Sequence, residues 1–288
     1  MVSIKYLRPN EVFDRIKYLV INGIKHKVYD SGGDYPATLI FLHGIPGQIS
    51  NWKYLVAGLK GRYRLVAYDL RGYGESDKPP KVTLSDYLSD LEVLTKELGI
   101  ELSKAVLVGH SFGCVVAQEF SVDRDVGGLV LIGPVSKLEP DFIDRIAWTL
   151  PAAIWKRVFF TVNPLTRRFY RSLFFSPSTP NEVFEEFLID NKDYIESLPP
   201  HVFRYSRYLV GYEVSRERLG RVRAPTLVIV GEDDKATPPR HAELISKLIP
   251  NSRLVKVPKA GHLIIYEKPD VVIKLIDEFV SNEVIKGG

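Results

Sequence analysis

Six short apolar stretches, separated by segments of helical periodicity, constrain this chain more than any other feature of its sequence. Residues 37–42, 63–68, 104–108, 128–132 and 225–230 are near-continuous apolar runs, and 253–257 is more mixed. Strands read this way when both of their faces are covered, as in a parallel sheet layered with helices. The helical segments lie between them. Thr83-Leu84-Ser85-Asp86 resembles a capping box, and Leu84, Tyr87, Leu88, Leu91, Leu94 and Leu98 follow at helical spacing before Gly99 stops the pattern. Residues 112–122, 241–248 and 270–280 are further helix candidates. The alternation predicts an α/β fold, with βαβ units, right-handed crossovers and helices on both faces of a mostly parallel sheet. Near the start, Asn22-Gly23 joins 16–21 to 24–29 in a strong hairpin signal, which adds antiparallel strands at one edge.

The alternation stops between 136 and about 220, where helical patterns occur without a convincing strand. The expected organisation is therefore a core of residues 1–135 and 221–288 with a helical cap, 136–220, lying over it. Residues 141–175 carry nine aromatics (Phe142, Trp148, Trp155, Phe159, Phe160, Phe169, Tyr170, Phe174 and Phe175) and six basic against two acidic residues. Most of these rings are expected to pack as core and the remainder to line a pocket. Ile154, Val158 and Val162 form one helical stripe with Trp155 and Phe159 beside them, opposite Lys156 and Arg157. Thr179-Pro180-Asn181-Glu182 reads as a second capping box with Pro at the first helical position. The helix it opens is acidic, and pairing with the basic half of the cap, or exposure to solvent, is expected.

Composition excludes several classes. A chain of 288 residues, 45% hydrophobic and 26% charged, is an ordinary globular protein with enough length for a core without disulfides or metals. Its net charge of 39 − 35 = +4 is too mild to argue for nucleic acid. Cys114 is the single cysteine, and no CxxC or HExxH spacing suggests zinc. No run of 18 uncharged apolar residues suggests a membrane span, and the N-terminus lacks the apolar core of a signal peptide. A soluble cytoplasmic location is the expectation, with the oligomeric state open.

Gly109-His110-Ser111-Phe112-Gly113 is a G-x-S-x-G motif set between an apolar strand and a helix. Such a turn holds its central residue in a strained conformation, and the glycines let the backbone pass closely. The hydroxyl is then presented at a helix N-terminus, where negative charge is favoured. A serine needs a base, and the base an orienting acid. His26 lies in an early strand, His43 is expected to brace its own loop, and His110 adjoins the serine and should point away from it. His201 falls in the cap and His241 begins a helix. His262 instead occupies a loop at the C-terminal end of a late strand, where catalytic loops of parallel sheets gather. The loop after 225–230, Gly231-Glu232-Asp233-Asp234, offers two carboxylates that qualify equally on chemistry. Oxyanion donors are expected from the Phe112 N–H, just past the serine, and from Ile45 in the loop His43-Gly44-Ile45-Pro46-Gly47.

In order and content these pieces resemble the α/β-hydrolase superfamily over nearly the whole chain. The matching motifs are HGIPG (43–47), DLRGYGES (69–76), GHSFG (109–113), GEDDKATP (231–238) and AGH (260–262). The resemblance implies the α/β-hydrolase fold, and a G-x-x-D-x-x-x-P spacing that selects Asp234 over Asp233 as the acid. Haloalkane dehalogenases and epoxide hydrolases of this family place Asp at the elbow, where this chain has Ser111. Proline iminopeptidase relatives usually carry GGSWG there. Hydroxynitrile lyase relatives have a lysine after the histidine, where this chain has Leu263. The expected activity is hydrolysis of carboxylic esters with an apolar acyl or alcohol part, by a Ser111–His262–Asp234 acyl-enzyme route that needs no cofactor and no metal. The same triad could serve a peptide, C–C or lactone bond or peracid formation, and a non-catalytic small-ligand binder of the same fold is the further alternative. Cys114 is expected to pack the elbow helix rather than act as a second nucleophile.

Overall fold

The protein is described from a computed structural model covering residues 6–138, 149, 151–159 and 161–286. Its eight strands are β1 (Ile16–Ile21), β2 (Ile24–Asp30), β3 (Thr38–Leu42), β4 (Arg64–Tyr68), β5 (Ala105–His110), β6 (Gly128–Ile132), β7 (Thr226–Gly231) and β8 (Ser252–Val257). They form one sheet in the order β1-β2-β4-β3-β5-β6-β7-β8. From β4 to β8 all neighbours are parallel, while β1 and β2 pair antiparallel at one edge. The edge hairpin turns at Asn22 (φ 52°) and Gly23 (φ 74°), two positive-φ positions of the kind that an Asn-Gly turn accommodates. This is the mostly parallel α/β sheet that the alternation predicts, in the α/β-hydrolase arrangement that the resemblance implies.

Five longer helices sandwich the sheet: α1 (Lys53–Leu59), α2 (Leu84–Glu97), α3 (Phe112–Ser121), and, after an insertion between β6 and β7, α7 (Pro239–Leu248) and α8 (Pro269–Phe279). Side chains alternate between the two faces, as the pleat requires. Ile40, Leu42, Leu107, Leu131 and Val228 pack towards Leu91 of α2, Val115 of α3 and Ile245 of α7. Leu39, Phe41, Val106, Val130 and Leu227 pack towards Leu55 of α1 and Ile276 of α8. Thr83 caps α2 in a complete box with Asp86, as its sequence indicates. Helix α1, led in by a 3-10 turn over Ile49–Trp52, is absent from the periodicity reading because seven residues give too little pattern.

Within the insertion the described helices are α4 (Ala152–Phe159), α5 (Pro164–Phe174) and α6 (Asn181–Ser197), followed by short helical turns. Two expectations are corrected here. Thr179 does not cap α6: Pro180 occupies the N-cap without a side-chain bond, and the Thr179 hydroxyl instead donates to Glu267 of the core. The stripe through Ile154, Val158 and Val162 does not run along one helix, because Val162 lies beyond the end of α4, and Ile154 is 49% exposed. Phe142, Trp148 and Phe160 lie outside the described residues, as do the side chains of Trp155, Val158 and Phe159. No helix among the described residues is long and apolar enough to cross a membrane.

The acidic face of α6 is spent on the core as well as on the insertion. Glu185 pairs with Arg167 of α5, but Glu186 and Asp190 close on Lys53 of α1 at 2.7 and 2.6 Å, and the lysine side chain is fully buried. Tyr54 donates to Glu186, and Tyr266 donates to Asp190 at 3.1 Å. The Lys53 ammonium also lies over the rings of Tyr6 and Tyr54. Removing one member of a buried ion cluster strands the others without solvent. Lys53→Met is therefore expected to lower unfolding stability by about 3 kcal/mol, measured by urea denaturation. A loss within error of zero would show that the two carboxylates find water or protons freely.

Candidate active site

Strand order places the site. The chain runs from β3 outwards to β4 and later returns to β5 on the other side of β3, so the loops after β3 and β5 diverge and leave a crevice at the strands' C-terminal ends. The HGIPG loop (43–47) follows β3, and Ser111 follows β5. Ser111 has φ 53° and ψ −118° at the N-cap of α3, a left-handed conformation that a side-chain-bearing residue adopts only when its surroundings enforce it. Its N–H donates to the Ile132 carbonyl at 2.9 Å. Gly113 is what permits the turn, since any Cβ there would run into the Leu42 carbonyl of β3. The N–H groups of Ile45 and Phe112 have no acceptor among the described residues, leaving two backbone donors beside the serine.

His262 and Asp234 meet from the loops after β8 and β7. His262 Nδ1 donates to Asp234 Oδ2 at 2.8 Å, which leaves Nε2 as the free ring nitrogen. The Thr237 N–H donates to Asp234 Oδ1 at 2.8 Å, and the Thr237 hydroxyl lies 2.9 Å from Oδ2 and 3.0 Å from the Gly133 carbonyl. Burial opposes ionisation of Asp234, but the charge and hydrogen bond of His262, with the bonds from Thr237, hold its carboxyl below the usual range. Asp233 faces elsewhere and accepts from the Ser176 hydroxyl at 2.6 Å. Ser111 and His262 line one cavity, with no direct hydrogen bond between them.

The other histidines are accounted for. His43 Nε2 accepts from the Leu70 N–H at 2.9 Å, so Nδ1 carries the proton and donates to the Gly44 carbonyl at 2.7 Å. Burial lowers its pKa to about 4, which makes it a neutral brace of the 43–47 loop. His110 departs in part from expectation. It lines the cavity, its ring lies 4.8 Å from that of His262, and its Nε2 donates to the His262 carbonyl at 2.9 Å. Burial, reinforced by His262, lowers its pKa to about 3. His26 bonds to the Asp69 carbonyl, His201 to that of Lys78, and His241 to the Ser136 hydroxyl. Cys114 is fully buried, with its thiol on the Gly109 and Ile132 carbonyls and pushed well above the usual thiol range by burial.

The cavity measures about 90 Å³ and has mostly apolar walls. Trp52, Ile45 and Ile265 line it from the core, and Tyr170, Phe174, Phe187 and Ile195 from the insertion. Of the insertion aromatics singled out in the sequence, Tyr170 and Phe174 reach it, Phe175 packs against Phe184 and Phe187, and Phe169 is exposed. Phe187 and Ile195 are not legible as pocket residues in the sequence, since nothing in an acidic helix indicates which turn overhangs the crevice. Thr237 is foreshadowed only by standing three residues after Asp234, within reach of a side-chain turn. Among the described residues no group of three or more His, Cys, Asp or Glu is arranged to hold a metal ion.

Comparison with known proteins gives the family. The family model described as "Alpha/beta hydrolase family" matches residues 39–275. Human epoxide hydrolase 4 is 26% identical over 92% of this chain and 78% of its own length. The AB hydrolase superfamily protein YisY of Bacillus subtilis is 28% identical over 88% of this chain and 95% of its own. Among solved structures, a thermophilic esterase from Thermogutta terrifontis superposes with a TM-score of 0.78 at 27% identity, covering 94% of this chain and 99% of that one. The chain therefore belongs to the alpha/beta hydrolase family, and hydrolase chemistry comes with that membership.

Proposed function

We propose that the protein is a serine esterase, hydrolysing carboxylic esters with a small apolar acyl part through an acyl-enzyme on Ser111. The observation that carries this reading is the left-handed Ser111 at the mouth of α3, sharing one apolar cavity with a histidine whose far nitrogen is bonded to a buried carboxylate. His262 Nε2 takes the serine proton as Oγ attacks the ester carbonyl. Asp234 fixes the tautomer and offsets the imidazolium charge. The N–H groups of Ile45 and Phe112 receive the oxyanion. His262 then protonates the leaving alcohol and activates the water that releases the acid. Residues 136–220 act as the cap that roofs this pocket.

Three observations favour ester over the other bonds. The relative named as an epoxide hydrolase belongs to a group that carries Asp at the elbow, whereas Ser111 here favours attack on a carbonyl. A proline iminopeptidase of Pestalotiopsis fici is 24% identical, but no carboxylate of α6 lines the cavity, and Glu186 and Asp190 are paired with Lys53. The esterase from Thermogutta terrifontis superposes over nearly the full length. A cavity of about 90 Å³ is also smaller than the ~150 Å³ that accommodates a benzene ring, so acyl groups of roughly two to four carbons are the best fit.

Hydrolysis of a p-nitrophenyl ester series is expected to peak at these short chains, and no turnover on any ester by folded protein would reject the esterase reading. Ser111→Ala is expected to lower kcat by at least about 10³-fold with folding retained by circular dichroism. Near-wild-type turnover in that variant would place the nucleophile elsewhere. Asp234→Asn is expected to lower kcat by about 10³-fold or more, and Asp233→Asn by less than about tenfold, since the amide still offers Ser176 an oxygen. The reverse ranking would move the acid by one position.

A further inference from the structure

The segment of the insertion that follows α5 does more than overhang the cavity. The Phe174 carbonyl accepts from the Leu263 N–H at 3.0 Å, directly after His262. On the other side of His262, the Gly261 N–H donates to Glu267 Oε2 at 2.7 Å, and Oε1 of the same carboxylate accepts from the Ser176 N–H at 2.7 Å and from the Thr179 hydroxyl. Ser176 is fully buried, and its hydroxyl donates to Asp233 Oδ2 at 2.6 Å. The two core loops also meet directly, through the Asp233 N–H on the Ala260 carbonyl at 2.9 Å. Gly261 lies so close to this segment that a Cβ would stand 2.7 Å from the Ser176 nitrogen and 2.8 Å from the Phe174 carbonyl oxygen.

Ser176 thus completes an outer bridge running parallel to the direct Asp234–His262 bond. It passes from Asp233, beside the acid, through Ser176 to Glu267, and on to Gly261, beside the base. Two of its links are bonds from backbone N–H groups to one carboxylate, a charge-assisted type stronger than a neutral pair. We propose that Ser176 and Glu267 are positioning residues, through which docking of segment 174–179 holds the Asp234–His262 pair in register for catalysis. The inference rests on the reading of Ser111, Asp234 and His262 as the triad. Its physical content is that the base loop is anchored on both flanks by a segment from outside the core. A shift of that segment releases the Leu263 and Gly261 anchors together, and misplacement of a general base by a fraction of an ångström is felt in the chemical step rather than in ground-state binding.

The test uses the full-length protein. Ser176→Ala is expected to lower kcat on a short p-nitrophenyl ester by about tenfold, with KM changed less than about twofold. Glu267→Gln, the second variant should Ser176→Ala fold poorly, is expected to behave alike. The deciding measurement is the double variant. If Ser176 acts through the acid–base pair, adding Ser176→Ala to Asp234→Asn lowers kcat by less than about twofold further, because the pair it positions is already broken. A full additional tenfold loss, or an effect confined to KM or to thermal stability, overturns the proposal. Covalent labelling by a small fluorophosphonate keeps the underlying reading separate. Wild type that is not labelled at Ser111 overturns the triad and this inference with it. Labelling of Ser176→Ala at the wild-type rate overturns the positioning role alone.

Discussion

Everything at the mouth of the sheet depends on how closely α3 approaches β3. The helix begins one residue after a strand buried on both faces, and it turns back so tightly that the backbone at Gly113 rests against the Leu42 carbonyl. That contact keeps Ser111 in a left-handed conformation that an isolated chain would leave. It also brings the N-terminus of α3, with its free Phe112 N–H, alongside the loop that follows β3. Ser111 and the N–H groups of Phe112 and Ile45 are thus positioned by one steric fact, before any side-chain hydrogen bond is made.

Burial sets the charge of most polar groups around this corner. His43 and His110 flank the serine, and both are kept neutral by burial. Asp69, raised to about 6 by burial, takes the N–H groups of Ile49 and Glu75 at 2.7 Å each and so ties the chain after the 43–47 loop to the turn after β4. Asp234 is different: the charge and hydrogen bond of His262, with the bonds from Thr237, outweigh its burial and hold its carboxyl below the usual range.

Legibility from sequence tracked how local the determining physics is. β3, β5, β6 and β7 are readable because burial on both faces leaves a continuous apolar run, and α2 because its cap and stripe lie within one window. The elbow is readable because strand, glycine, serine and helix are contiguous. The pairing of His262 with Asp234 rather than Asp233 is not legible in composition or spacing alone, since a one-residue shift around a turn reverses which carboxylate faces the histidine. The family spacing pointed to the one that the structure brings to the ring. Thr179 shows the opposite failure: its local pattern is that of a helix cap, yet a carboxylate 88 residues away takes its hydroxyl. Lys53 is the extreme case, a charged residue in a short helix that becomes fully buried because two acids from the distant insertion enclose it.

That enclosure has a thermal consequence. The hydration of charged groups becomes less favourable as temperature rises, so withdrawing an ammonium and two carboxylates from water is penalised less in hot solution than in cold. Apolar contacts gain no comparable advantage, because their stabilisation levels off. The tether between α6 and α1 is therefore a contact whose relative strength grows on heating. On heating, α6 is thus held to the core by a contact that weakens less than the aromatic packing of Phe174 and Phe187 around the cavity.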